Sequence, residues 1–218
     1  MQDQQRMCLA AQLTRIVTNG YTGWMGMKIA QLLPNALREN AMGRKAADII
    51  DMLTEDHDRL MVLFAAFDRL RESAADDARQ TLVELACTEI VIHAQVKEEH
   101  LYPALAEVMD DTFILEQAEV EHAIIRRLVG ELETMQAGDR LYNAKFTTLA
   151  SCIGHHIEDE QTRLFPQLDG LDLSFDALTC DIRTRRHELR TEFGMPDADN
   201  DDDSYRYHVV RRPHYRHH

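Results

Sequence analysis

Apolar residues recur at three- and four-residue spacing from Lys45 onward. Ile49, Ile50, Leu53, Leu60, Met61, Phe64 and Phe67 fall on one stripe, as expected of an amphipathic helix with one buried face. His57 sits inside that stripe, and the polar run Arg71-Glu-Ser-Ala-Ala-Asp-Asp ends it. A second helix is predicted from Asp77 to Tyr102, with Leu82, Ala86, Ile90 and Val96 on the side that carries His93 and with Glu89 as the odd charge there. Pro103 marks its end region, because proline supplies no helical N–H. Asp110-Asp-Thr opens a third helix with an aspartate as N-cap, and Leu115, Ala118, Ile125, Val129 and Leu132 share a face with His122. Ala137-Gly-Asp breaks it. The fourth runs from Leu141 to Phe165, with Leu149, Cys152, Ile153, Glu160 and Leu164 beside His156. After a turn at Gly170, Ser174 is placed to cap a shorter, more polar helix that reaches Phe193.

Four amphipathic helices of roughly 25 residues joined by short loops predict an all-α, up-down-up-down four-helix bundle. The division expected is an N-terminal extension at 1–44, the bundle at 45–170, an additional helix at 171–194, and a disordered tail at 195–218. The extension is interrupted by Gly20, Gly23, Gly26 and Pro34, and Met25 or Met27 could be the true start. The tail, acidic from Asp197 to Asp203 and then basic with His208, His214, His217 and His218, has too little apolar content to fold alone. The histidines repeat: His57 to His93 spans 36 residues and His122 to His156 spans 34. Each half is then a helical hairpin with a histidine on each arm, and pairing the hairpins brings four histidines to one level in the core.

Composition narrows the function. Nine Gly and five Pro in 218 residues fit a helical protein. A formal charge of −14 argues against nucleic acid or a membrane surface as partner. There is no apolar run long enough to span a membrane, and no signal-peptide core follows Met1, which points to the cytoplasm. Cys8, Cys87, Cys152 and Cys180 are far apart and read as free thiols in a reducing compartment.

The chemistry lies in His156-Ile-Glu-Asp-Glu160, followed by Gln-Thr-Arg-Leu-Phe165-Pro166. Residues four apart on a helix share a face one turn apart, so an imidazole and a carboxylate converge. The chain nearly repeats this from His93 to Pro103, but Lys97 stands where the second copy has Glu160. Four imidazoles in an apolar core are costly unless something satisfies their nitrogens. Nitrogen with carboxylate donors favours iron, manganese or zinc.

Asp56-His57, His93 ahead of Glu98-Glu99-His100-Leu-Tyr-Pro, Glu121-His122, and His156-x-x-x-Glu160 ahead of Leu-Phe-Pro together resemble the hemerythrin-like, HHE cation-binding family over residues 46 to 168. The resemblance implies a four-helix bundle around a non-haem, oxo- or hydroxo-bridged diiron centre. It implies His57, His93, His122, His156 and Glu160 as metal ligands, and O2, NO or peroxide as the small-molecule partner, bound, sensed or turned over.

Lys97 departs from the family pattern, which has a bridging glutamate there; an ammonium cannot bridge and repels divalent ions. Glu119, in an i, i+3 pair with His122, could compensate; so could Glu89, one turn before His93. Glu98 lies about 140° from His93 on an ideal helix and would need a bulge to reach. Otherwise the site holds one metal, or two held unequally; a single iron or a zinc would serve a storage or structural role. Cys152 is either a redox-sensitive thiol near the metal or a small buried apolar residue, and Tyr102 and Phe165 plug the helix ends, with Tyr102 able to hydrogen-bond towards the site. His100 and His155 read as peripheral. A binding or sensor protein, an enzyme-like peroxide or NO scavenger or iron donor for repair, and a single-metal bundle are the competing functions. The oligomeric state is open.

Overall fold

The computed structural model describes residues 46–71 and 76–195. The expectations for the N-terminal extension, its alternative starts, Cys8, and the tail with its four histidines lie outside the described residues. Within them the chain is helical and has no strand. The elements are α1 (Ala47–Leu70), α2 (Asp76–Val96), a π turn (Lys97–Leu101), α3 (Tyr102–Ala106), α4 (Phe113–Glu133), α5 (Tyr142–Asp159), a second π turn (Glu160–Leu164), α6 (Phe165–Leu168) and α7 (Phe175–Glu192). Helix α1 packs along α2 and α4 along α5; contacts between α1 and α5 and between α2 and α4 join the two pairs. No helix among the described residues is long and apolar enough to cross a membrane.

The helical spans follow the apolar stripes, and two differences have local causes. The second and fourth helices were expected to stop at Tyr102 and Phe165, yet the chain stays helical to Ala106 and Leu168. In each case a π turn comes just before the proline, with Tyr102 N–H donating to the Lys97 carbonyl and Phe165 N–H to the Glu160 carbonyl. Such a widened turn re-phases the helix and allows it to continue where a proline would otherwise break the regular ladder. Helix starts also differ in detail. Asp111 accepts a hydrogen bond from Phe113 N–H at 3.0 Å, one residue outside the N-cap position held by Thr112. Ser174 occupies the N-cap of α7 without a side-chain cap bond. The N–H of Ala46 is met from across the fold by Asp169 Oδ1 at 3.2 Å.

The core has two apolar clusters. One gathers Ile49, Leu53, Val96, Leu101, Leu105 and Leu115 with Phe165 and Leu168. The other gathers Leu60, Phe64, Phe67, Ile90, Ile125 and Phe146 with Leu149 and Ile153. Burying each such side chain stabilises the fold by about 1.5–3 kcal/mol. The four histidines lie between the clusters: His57 between Leu53 and Leu60, His93 between Ile90 and Val96, His122 between Ala118 and Ile125, His156 between Ile153 and Leu164. A polar layer thus divides an otherwise continuous hydrophobic core.

Helix α7 is fastened to the other helices. Phe175, Leu178, Ile182 and Leu189 join the first apolar cluster. Arg190, buried, makes two hydrogen bonds to Glu89 on α2 at 2.9 and 3.1 Å. Arg186 lies 3.3 Å from Asp56 on α1, and Arg185 bonds Glu99 at 2.6 Å. The helix closes in a Schellman turn. Gly194 takes a left-handed φ of 66°, Met195 N–H reaches the Arg190 carbonyl, and Gly194 N–H reaches that of Thr191.

Replacing Arg190 by Met strands the Glu89 carboxylate in the interior and is expected to cost about 3–5 kcal/mol in urea unfolding. The double change Glu89→Met, Arg190→Met should recover most of that loss. Equal losses in the two proteins would show that the pair does not govern the docking of α7.

Candidate metal centre

The layer between the apolar clusters is built from one histidine on each of α1, α2, α4 and α5, plus the residue that opens each π turn, Lys97 and Glu160. All six are buried, with Lys97 and His57 fully so. The His57 and His93 Nε2 atoms are 3.1 Å apart, and those of His122 and His156 are also 3.1 Å apart. Glu160 Oε2 lies 3.2 Å from His57 Nε2 and 3.5 Å from His156 Nε2. Lys97 Nζ donates to Glu160 Oε2 at 2.8 Å and to His156 Nε2 at 3.0 Å. Tyr102 donates its hydroxyl proton to Glu160 Oε1 at 2.8 Å, and the Phe165 ring lies parallel to that of His57.

Each ring is held from behind through its other nitrogen. Asp56 Oδ2 is 3.3 Å from His93 Nδ1, Glu98 Oε1 2.7 Å from His122 Nδ1, and Glu121 Oε2 2.8 Å from His156 Nδ1. The Gln161 side-chain amide faces His57 Nδ1 at 3.2 Å. A carboxylate at Nδ1 accepts its proton and fixes the tautomer, leaving a bare lone pair on Nε2. For His93, His122 and His156 that lone pair points into the layer. The amide atom facing His57 is Gln161 Nε2, a donor, so His57 accepts at Nδ1 and carries its proton on Nε2, towards Glu160 Oε2 at 3.2 Å.

Burial and charge reinforce this state. Desolvation, helped by the charge of Lys97, holds His93 far below the usual imidazole range. His57 is lowered chiefly by burial, against the pull of Glu160. His122 falls to about 4, again mainly through desolvation. Burial pushes the Glu160 carboxyl upward, but the combined effect of Lys97, His156 and His57 outweighs it and leaves the group well below the ordinary carboxylate range. Lys97 is lowered by burial while the Glu160 charge opposes the shift. Burial, then the Glu160 charge, raise Tyr102 well above the phenol range, so it remains a donor.

An inward set of neutral imidazole nitrogens and one carboxylate has more acceptors than donors. His122 Nε2 faces His156 Nε2, whose lone pair already accepts from Lys97, so two acceptors meet at 3.1 Å. Such a contact is unfavourable unless a cation lies nearby. His57, His93 and Glu160 each offer a ligand atom within 4.8 Å of the others, a spacing that fits one metal ion. The donor chemistry therefore suits a borderline cation such as iron, manganese or zinc.

The structure brings His57, His93, His122, His156 and Glu160 together, with Lys97 and Tyr102 touching Glu160. It places the three carboxylates considered as compensators for Lys97 elsewhere. Glu119 is exposed on α4, and Glu89 is taken up by Arg190. Glu98 does follow a bulge, but the π turn aims it at His122 Nδ1 and at Arg126 on the outer side of the ring. Cys152 is half-buried at the edge of the second apolar cluster, His100 is half-buried, and His155 is exposed on the outer face of α5.

Sequence reasoning gave no role to Asp56, Glu121 or Gln161. A signal for two of them was present: an acidic residue precedes both His57 and His122. Each serves the histidine of the neighbouring helix instead of its own, a pairing visible only once the helices are packed.

With this geometry in view, comparison with known proteins gives a direct answer on kinship. The family model of the hemerythrin HHE cation-binding domain matches residues 48–168, more than half of the chain. The chain belongs to that family. No curated protein and no solved structure matches it.

The buried rings set a pH dependence. Unfolded histidines titrate near 6.5, whereas burial holds His57, His93 and His122 lower, His93 far lower and His122 at about 4. In that window the unfolded chain binds more protons, so the metal-free protein should lose stability as pH falls, by up to about 1.4 kcal/mol per pH unit for each of these three rings. Urea midpoints at about pH 7.5 and about pH 5 test this, with the lower midpoint expected on the acid side. Equal midpoints would contradict the neutral, buried state of the rings.

Proposed function

We propose that the protein binds iron in this layer and uses it to bind or sense O2, NO or peroxide. The observation that carries the reading is the set of imidazole Nε2 atoms converging on Glu160, with acidic residues behind three of the rings. That outer support is how proteins raise the basicity of histidine ligands and fix their direction. The ligands would be drawn from among His57, His93, His122, His156 and Glu160, within a four-helix, up-down-up-down bundle to which α7 is an addition. The close pairing of α1 with α2 and of α4 with α5 supports that topology.

Iron bound there supplies a redox-active centre able to take a small diatomic or peroxide ligand. The chain's own residues do the rest. Asp56, Glu98 and Glu121 hold three rings in place, and Tyr102 holds Glu160 by its second oxygen. The apolar clusters on either side exclude water, with Leu101, Leu164 and Phe165 buried next to the layer. No side chain is needed as a nucleophile, and a binding or sensing protein fits better than a dedicated enzyme. Among the described residues Cys87, Cys152 and Cys180 form no disulfide, which suits a reducing cytoplasm.

Elemental analysis of untagged protein from iron-replete cells tests the reading. Iron should be present, and exposing the iron-loaded protein to NO should change its visible spectrum. Zinc in its place, or no metal, would overturn the proposal. Asp56→Ala should weaken metal affinity by about 10- to 100-fold with helical content retained; unchanged affinity would remove Asp56 from the support of His93.

A further inference from the structure

We propose that the centre holds a single metal ion, between His57, His93 and Glu160, and that the Lys97 ammonium takes the place of a second ion on the side of His122 and His156. This rests on the metal-binding reading above and specifies its stoichiometry.

Position is the first argument. Lys97 and Glu160 each open a π turn, at equivalent points of the two hairpins, and both side chains reach the centre of the layer. Lys97 Nζ bonds Glu160 Oε2 at 2.8 Å and His156 Nε2 at 3.0 Å, so it already makes the contacts a cation would make there. A metal ion at that point would have to displace an ammonium that is fully buried.

Charge is the second. The layer has one inward carboxylate, Glu160. Two divalent ions beside Lys97 would put five positive charges against one negative charge in a low-dielectric interior, where such repulsion is severe. One ion with Lys97 is far less unbalanced. Glu98 and Glu121 act on Lys97 only from behind the rings, and among the described residues no acid besides Glu160 enters the layer itself. Asp56, Glu98 and Glu121 are turned to the Nδ1 side of the rings, Glu89 is bound to Arg190, and Glu119 is exposed.

Ligand spacing is the third. His57, His93 and Glu160 present donor atoms within 4.8 Å of one another. Towards His122 and His156, Lys97 Nζ occupies His156 Nε2 and shares Glu160 Oε2, the oxygen that also faces His57 Nε2 at 3.2 Å. The site is thus divided into a half built for a metal and a half neutralised by the protein itself.

The test is metal content per chain, by elemental analysis of the full-length protein loaded with ferrous iron and desalted, for wild type and three variants. Wild type should hold one ion, Lys97→Glu should hold two, His57→Gln should hold none, and His122→Gln should retain one. Two ions in wild type, one in Lys97→Glu, or equal loss in His57→Gln and His122→Gln would overturn the inference while leaving metal binding intact. An empty wild-type protein would overturn the metal-binding reading as well. If Lys97→Glu does not fold, the contrast between His57→Gln and His122→Gln decides the matter in the wild-type background.

Discussion

Lone pairs directed inward from neutral imidazoles are the constraint around which this protein is arranged. A helical core of this size could be filled with leucine and phenylalanine alone. Instead it is cut by a layer of four histidines, a glutamate and a lysine, all buried. An acceptor-rich layer of this kind is unfavourable in a dry interior unless a cation meets the lone pairs. Lys97 supplies one positive charge, and the ligand atoms that His57, His93 and Glu160 offer are spaced to receive another.

The surrounding structure serves to keep that layer directional. Asp56, Glu98 and Glu121 each come from a helix other than that of the ring they support, so the histidines fix the packing of the helices as much as the helices fix the histidines. Support extends outward to α7, where Arg186 approaches Asp56 and Arg190 closes on Glu89. Buried arginine–carboxylate pairs contribute little net stability but are costly to break singly, and these two tie the last described helix to both α1 and α2.

Much of this was legible in the sequence because it is periodic. The stripes through Ile49 to Phe67 and Leu115 to Leu132 gave the helices, and the near-equal spacing of the histidine pairs put four rings at one level. The family resemblance added the expected ligands and marked Lys97 as the exception. What periodicity could not give was anything that depends on the angle between helices. Ideal helix geometry places Glu98 away from His93, and the π turn that displaces it directs it to His122 Nδ1 and away from the centre. Glu89 looked available to a metal because its partner, Arg190, lies 101 residues away on a helix whose sequence is mostly polar. The extensions past Pro103 and Pro166 were missed for a related reason: a proline signals the end of a regular helix, and the widened turn before it is a feature of hydrogen-bond register that composition does not encode.

The division of the layer into a metal half and a lysine half is the central claim, and position tests it more directly than stoichiometry. An anomalous-difference map collected at the iron edge, from crystals of the iron-loaded protein, would locate the ion without assuming its ligands. The account predicts a single peak bonded to His57, His93 and Glu160, with the Lys97 ammonium between Glu160 and His156. Two peaks flanking Glu160, or one peak bonded to His122 and His156 with Lys97 displaced, would contradict it.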